Sequence, residues 1–359
     1  MMPKPAYLGP YPDVYVGSQR LWRVFAGSKK VWPEIEPQWL MTTTSRIFYS
    51  GDGTAWEEIP SYPAEVTGTI SLANNDRTRG NNIAVDPVTG MWVVATGDTG
   101  AGYSPYVISS LDGLEWQAHD TGATVDLVSV EYGNGLWVVG QASERTLRYS
   151  SDLITWTAVS LPRIGSVLAN NDGTAFYDVL YQTYGTRNWW VFGFRGAYYS
   201  SDGISWSATT QSYLTQQGWP RQAASDSLGG IVIPHESTAV QAIKSSTDGG
   251  VTWPYSTTVG TTPGGVAHGG GYFMTSSGHL SSDGISWSTL AQSGDEIAYD
   301  HTNSRWLMAR NVVLSGTNTI QTSYSDDNGS TWSAWLTVAT GENVGGILHN
   351  SGTTDTMVA

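Results

Sequence analysis

An eight-residue string, Ser-Ser-Asp-Gly-Ile-Ser-Trp-Ser, occurs twice without change, at 200–207 and 281–288. Looser copies end at Trp56 (SGDGTAW), Trp116 (SLDGLEW), Trp156 (SSDLITW), Trp253 (STDGGVTW) and Trp332 (SDDNGSTW), which makes seven. Successive Trp positions lie 60, 40, 50, 47, 34 and 45 residues apart. A repeat of about 40–50 residues in a chain rich in β-formers is the length of one four-stranded propeller blade.

Each letter of the repeat has a physical task. The Asp residues (Asp52, Asp112, Asp152, Asp202, Asp248, Asp283 and Asp327) can accept hydrogen bonds from backbone N–H groups just ahead of them. The Gly that follows supplies the positive φ of a tight turn. The Trp (Trp56, Trp116, Trp156, Trp206, Trp253, Trp287 and Trp332) opens the next strand with a ring large enough to bury against a neighbouring repeat. Truncating such a ring to Ala typically costs about 3–5 kcal/mol. Seven equivalent sites are expected to be turn staples rather than catalysts or metal ligands.

On these residues the chain resembles the Asp-box, or BNR-repeat, β-propellers, among them the sialidases. STDGGVTW and SDDNGSTW match the full S-x-D-x-G-x-T-W pattern; the other five are one residue shorter, and Leu153 replaces one Gly. The resemblance implies turns between the third and fourth strands of each blade.

Taken in order, residues 1–38 stand outside the repeat. They hold a smaller duplication, VYVGSQRLW (14–22) and VFAGSKKVW (24–32), whose alternating apolar residues around Gly-Ser predict two short hairpins. Pro33, Glu34, Glu36 and Pro37 then mark a linker. This segment resembles short N-terminal segments of bacteriophage minor tail and other virion proteins. That resemblance implies an attachment arm, with Tyr15, Trp22, Phe25 and Trp32 as its contact residues.

Residues 39–359 hold the repeats. The region opens with an Asp-box hairpin (Leu40–Ile59) that has no first hairpin before it. It closes with a first-type hairpin (Gly346–Ala359) that has no Asp box after it. The two orphans complement each other, which predicts an all-β, seven-bladed propeller of four-stranded antiparallel blades whose last blade is closed by both chain ends. Closure also hides the two edges an open ring would expose.

Composition narrows the function. A net charge of −14 with only four Lys disfavours nucleic acid and anionic membranes as partners. MMPKPAYLGPYPD lacks an apolar signal core, so no export signal or membrane span is expected. Sialidase chemistry, as the resemblance implies it, needs three converging arginines. Arg46, Arg148, Arg195, Arg221 and Arg310 are available without a spacing that demands convergence. A glycosidase needs two carboxylates flanking a bond, and Glu57, Glu58, Asp76, Asp120, Glu144, Asp172, Glu236, Asp295 and Glu296 are too many to rank. The six His are scattered, and Asp326-Asp327-Asn328 lacks the spacing of a calcium loop, so neither metal nor cofactor is expected.

The longest inter-blade connections are 60–82, 161–176 and 209–221. In the last, Tyr213, Trp219 and Arg221 have no role in the repeat and form a candidate sugar-stacking site. The resulting expectation is a non-enzymatic phage virion protein of the tail or a fibre, assembled in the host cytoplasm. The arm would bind other virion proteins and the propeller a host-surface receptor or glycan. Capsid decoration and a glycoside hydrolase are the alternatives.

Overall fold

The computed structural model describes residues 14–16, 19–21, 24–26, 29–32, 37–66, 70–71, 82–98, 104–142, 145–162, 176–194, 196–209, 218–236, 241–260 and 264–350. Seven antiparallel sheets follow one another along the chain as blades 1 to 7, each ordered from an inner to an outer strand. Blades 1 to 6 span Ile83–Asp120, Leu127–Ser160, Phe176–Ala208, Trp219–Thr258, Val266–Thr289 and Glu296–Thr340. The inner strand of blade 4 is split into Trp219–Pro220 and Ala224–Ser225, both paired with Ile231–Glu236. A single 3-10 turn, Ala64–Val66, is the one helical element among the described residues, and none of their helices is long and apolar enough to cross a membrane.

Blade 7 is the seam. Val344–His349 forms its inner strand and pairs with Trp39–Thr43, in register Ile347 to Met41 and His349 to Trp39. Ile47–Ser50 and Glu57–Glu58 complete it. The ring is therefore closed by both ends, as the repeat count requires. The division is one strand from the C-terminal side and three from the N-terminal side, rather than hairpin against hairpin. The later half of the expected C-terminal hairpin lies outside the described residues.

The repeat turns are built alike. At 200–206, Ser200 Oγ donates to Asp202 Oδ1 (2.8 Å) and accepts from Gly203 N (2.9 Å). Asp202 Oδ1 also accepts from Ile204 N (2.9 Å) and Ser205 N (2.7 Å). Trp206 Nε1 then donates to Gly203 O (3.1 Å). The longer turns keep the same set, with Thr252 N and Thr331 N reaching Asp248 and Asp327 four residues back (2.8 Å each). The glycine has a φ of 76° at Gly203 and 84° at Gly250, while Leu153 adopts 61° in the same place. N–H groups aimed at a carboxylate favour its charged form. The Thr155 and Ile154 amides thus hold Asp152 below the usual carboxylate range. At Asp283, burial pushes the carboxyl up, but the Ser286 and Ile285 amides outweigh it and hold it at about 2.

Seven apolar clusters fill the ring among the described residues, each shared by two successive blades. Every repeat Trp packs into one of them, so the expected position between blades is observed. Their depth differs from the expectation. Only Trp253 is fully enclosed, at 1% exposure, and the other six are half-buried with the indole N–H turned back to the turn. The largest fully buried side chains are instead Trp39, Trp92, Trp189, Trp190 and Trp306, on the second strand from the axis. That strand is flanked on both sides, whereas the Trp opening an outer strand is covered on one edge only.

Ahead of the ring, Val14–Val16 pairs with Gln19–Leu21 and Val24–Ala26 with Lys29–Trp32. These are the two hairpins the duplication predicts. Of the arm residues, Trp22 lies outside the described residues, and Tyr15, Phe25 and Trp32 are placed by their strands alone.

Candidate functional site

Strand direction gives the ring two faces. Each Asp turn joins the third strand of a blade to the fourth, so the fourth strands run away from the turn face. Their C-terminal ends therefore lie on the opposite face. The seam register puts Trp39 and His349 beside Ser50, at the turn end of blade 7, so both ends of the ring open on the turn face. Pro37 rests on the blade 1 turn at Gly113.

Each inner strand is the free edge of its sheet, and the inner strands neighbour one another around the axis. Three of them carry acids within apolar runs: Glu131 in VSVEYG of blade 2, Asp178 in FYDVL of blade 3, and Glu296 at the head of blade 6. Glu131 and Glu296 are crowded by protein yet keep partial solvent access. Burial pushes the Glu131 carboxyl up to about 8; the Tyr132 amide (2.9 Å from Glu131 Oε1) pulls it back, and the Asp178 charge adds to the rise. Burial likewise raises Glu296 well above the ordinary range, helped by the charges of Asp295 and Asp178. Asp178 is 1% exposed and accepts the Ala223 amide at Oδ2 (2.7 Å). Burial thus favours the protonated form of both Glu131 and Glu296, while the Ala223 amide fixes the place of Asp178. Such a set can donate hydrogen bonds or a proton to a bound molecule. Among the described residues no three His, Asp or Glu side chains are grouped to hold a metal ion.

At the turn-face end of the seam, His349 Nε2 stands 3.4 Å from Asp300 Oδ2, with both side chains 2% exposed. The His349 ring meets Trp39 edge-on at 4.6 Å. Burial pushes His349 down to about 4, and the Asp300 carboxylate offsets this only in part. The imidazole is therefore neutral and seals the seam.

The sequence candidates are dispersed. Trp219 packs on Phe194 (centroids 5.3 Å apart), and Arg221 is held by Glu236 at 2.5 Å with its side chain 11% exposed. Both sit on the inner strand region of blade 4, while Tyr213 lies outside the described residues. The arginines do not form one pocket: Arg46 pairs with Glu58 and Glu342, Arg148 with the Thr121 and Gly122 carbonyls, and Arg310 with Gln321 and the Trp335 ring. Arg195 lies outside the described residues. Glu57 accepts the Tyr49 hydroxyl (2.6 Å), Asp120 the Gly122 amide (2.7 Å) and Asp295 the Asn311 amide (2.6 Å). Asp76, Glu144 and Asp172 are outside the described residues. Of the acids singled out in the sequence, Glu296 stands on an inner strand. Glu131 and Asp178 were missed, although a lone carboxylate interrupting an apolar inner strand is a legible signal.

No protein-family profile matches the chain, and no curated protein matches its sequence. Solved structures do match its fold. One is a functionally unknown protein from Desulfotomaculum acetoxidans, 10% identical, with a TM-score of 0.58 over 86% of this chain and 97% of that one. Another, from Lactobacillus plantarum, is 14% identical with a TM-score of 0.56 over 87% and 99%. A third is virginiamycin B lyase from Staphylococcus aureus, 11% identical with a TM-score of 0.52 over 74% and 86%. These likenesses establish the propeller fold and no more. They also correct the expectation of a non-enzymatic chain, because an enzyme is among the proteins that share this ring. Lack of contiguous catalytic motifs is a weak argument in a fold whose sites are assembled from separate blades.

Proposed function

We propose that the chain is a component of a bacteriophage particle, of the tail or a fibre, with residues 1–38 as its attachment arm and residues 39–359 as a propeller that meets a host-surface receptor or glycan. The observation that carries this reading is the polarity of the ring. The arm joins it on the turn face, at Pro37, while the outer strands end on the other face. On that other face the hairpin of Arg305–Leu314 and Thr317–Ser325 outreaches its neighbours and ends in exposed Val313 and Leu314. A tether on one side and an apolar projection on the other suit a module held at one face and engaged at the other. The virion-like arm sequence supports the assignment. The Ser-to-Asp and amide-to-Asp hydrogen bonds shared by the seven turns support placing the repeats among Asp boxes. Capsid decoration is the alternative placement.

The test compares the intact chain with one starting at Gln38. Each is mixed with particles lacking this protein, and incorporation is scored by sedimentation. Incorporation of the intact chain alone is the expected result. Equal incorporation of both would remove the arm's role, and failure of both would overturn the virion reading. A second reading, favoured by the raised carboxyls of Glu131 and Glu296 on the inner strands, is proton-transfer chemistry at those strands. Loss of a turnover in Glu131→Gln, with the fold intact, would establish it.

A further inference from the structure

Blade 1 breaks the pattern of the seven turns in three places at once. In the other six, a hydroxyl residue stands two to four positions after the Asp: Thr54, Thr155, Ser205, Thr252, Ser286 and Thr331. Where that hydroxyl is best placed, it caps the second carboxylate oxygen: Thr54 to Asp52 Oδ2 at 2.7 Å, and Thr252 and Thr331 to Asp248 and Asp327 Oδ2 at 2.6 Å. After Asp112 come Leu114 and Glu115, neither with a hydroxyl. Asp112 Oδ1 is fully used by Ser110 Oγ, Leu114 N and Glu115 N, and no described side chain bonds to Oδ2. The residue before the Asp is polar or Gly in the other six turns, and here it is Leu111, 63% exposed. This turn also borders a groove of about 530 Å³ lined by Met91, Leu111, Asp112, Glu115, Trp116 and Gln117 among others.

We propose that this groove binds a saccharide, one of whose hydroxyls donates to Asp112 Oδ2 in the place that a Thr hydroxyl takes in the sister turns, while its apolar ring face lies against Trp116 and Leu111. A hydroxyl on a carboxylate is a charge-assisted hydrogen bond, stronger than a neutral one. Half-buried Trp116 offers a rigid aromatic edge at low entropic cost. Gln117 and Ser109 line the same groove and supply further polar groups for the remaining hydroxyls. The volume suits one or two sugar rings. The site lies on the turn face, apart from the projecting hairpin, and does not depend on the virion reading.

Two substitutions restore the sister-turn sequence without touching the capped side of the turn. Glu115→Thr supplies the missing hydroxyl at the position of Thr155, and Leu111→Ser removes the apolar wall as in the turns at Ser151, Ser201 and Ser282. Protein-observed 1H–15N NMR spectra of the 15N-labelled full chain are recorded with methyl glycosides of glucose, galactose, mannose, N-acetylglucosamine and rhamnose. The Trp116 indole N–H, assigned with Trp116→Phe, serves as the site reporter. The expected result is binding of at least one glycoside that shifts this signal. Affinity should fall about tenfold or more in each of the two variants, with melting temperature unchanged or raised. No shift with any glycoside, or undiminished affinity in both variants, would overturn the proposal. A shift caused by trilysine but by no glycoside would also overturn it, marking the groove as a site for basic peptides.

Discussion

Closure of the ring by Val344–His349 makes one small substitution costly. Ile347 is 1% exposed and lies in the cluster with Trp39, Met41, Leu307 and Ala309, between blades 7 and 6. Ile347→Ala removes three carbons, worth about 0.8 kcal/mol each by transfer alone. The cavity left in a packed core adds to this, so the loss is about 2–5 kcal/mol. Against a total stability of roughly 5–15 kcal/mol, that is a large fraction. The matched control is Leu336→Ala on the outer strand of blade 6, where the side chain is 40% exposed and the cost should stay within about 0.5 kcal/mol. Guanidinium unfolding followed by tryptophan fluorescence compares the midpoints. A chain ending at Asn343 should fail to reach the native signal, because it uncovers the edge of Trp39–Thr43. If Ile347→Ala matched the control and the shortened chain melted like the full one, six whole blades with frayed ends would be the right description.

The remaining predictions concern charge and depth. His349 is held neutral at about 4, below its unfolded value near 6.5, so the unfolded chain takes up the proton first. Stability should fall as pH drops from 6.5 to 4, by about 3 kcal/mol at most, and His349→Gln should flatten that slope in unfolding titrations. Glu131 has the opposite sign: raised to about 8 in the fold, it keeps its proton where the unfolded chain has lost it. Stability should therefore decline as pH climbs from about 4.5 to 8, by less than the roughly 5 kcal/mol of the unscreened shift because solvent reaches the side chain. Glu131→Gln should remove this decline while leaving stability at pH 5 nearly unchanged. Trp253→Ala should cost about 3–5 kcal/mol and Trp206→Ala about half as much, since only the first ring is fully enclosed; equal costs in parallel melts would contradict the burial argument.

The ring was legible because its cause is local and repeated. Ser, Asp, Gly and Trp at fixed offsets state the turn chemistry seven times, and counting unmatched halves locates the seam. What the count missed follows from the same logic. Gly352 in the final segment signals a turn, so the segment reads as a hairpin, yet Trp39–Thr43 already fills the second place in blade 7 and one strand suffices. The repeat also drew attention to its own Trp residues, although the deepest rings are Trp39, Trp189, Trp190 and Trp306 in segments that vary between blades. The axial acids were hidden for a different reason. Glu131, Asp178 and Glu296 lie far apart in sequence, and only the circular order of the blades turns their inner strands to one axis. A search for contiguous motifs cannot find such a set, and so the expectation of a chain without chemistry went further than the residues allowed. Arg221 misled in the reverse sense, since a polar residue without a role in the repeat is paired with Glu236 within its own blade.

Segments from both sides of the ring, Trp39–Thr43 and Val344–His349, meet in one blade, and the absence of cysteine makes that directly measurable. Asn350 N donates to Gln38 O at 2.7 Å, one step beyond the paired His349 and Trp39. Cross-strand neighbours of this kind sit about 4.5–5.5 Å apart at Cα, within the range a disulfide spans. Gln38→Cys with Asn350→Cys should oxidise to an intramolecular disulfide that leaves no free thiol and migrates faster without reductant. Gln38→Cys with Leu336→Cys should stay reduced. Two free thiols, or only intermolecular dimers, in the first variant would contradict the closed ring.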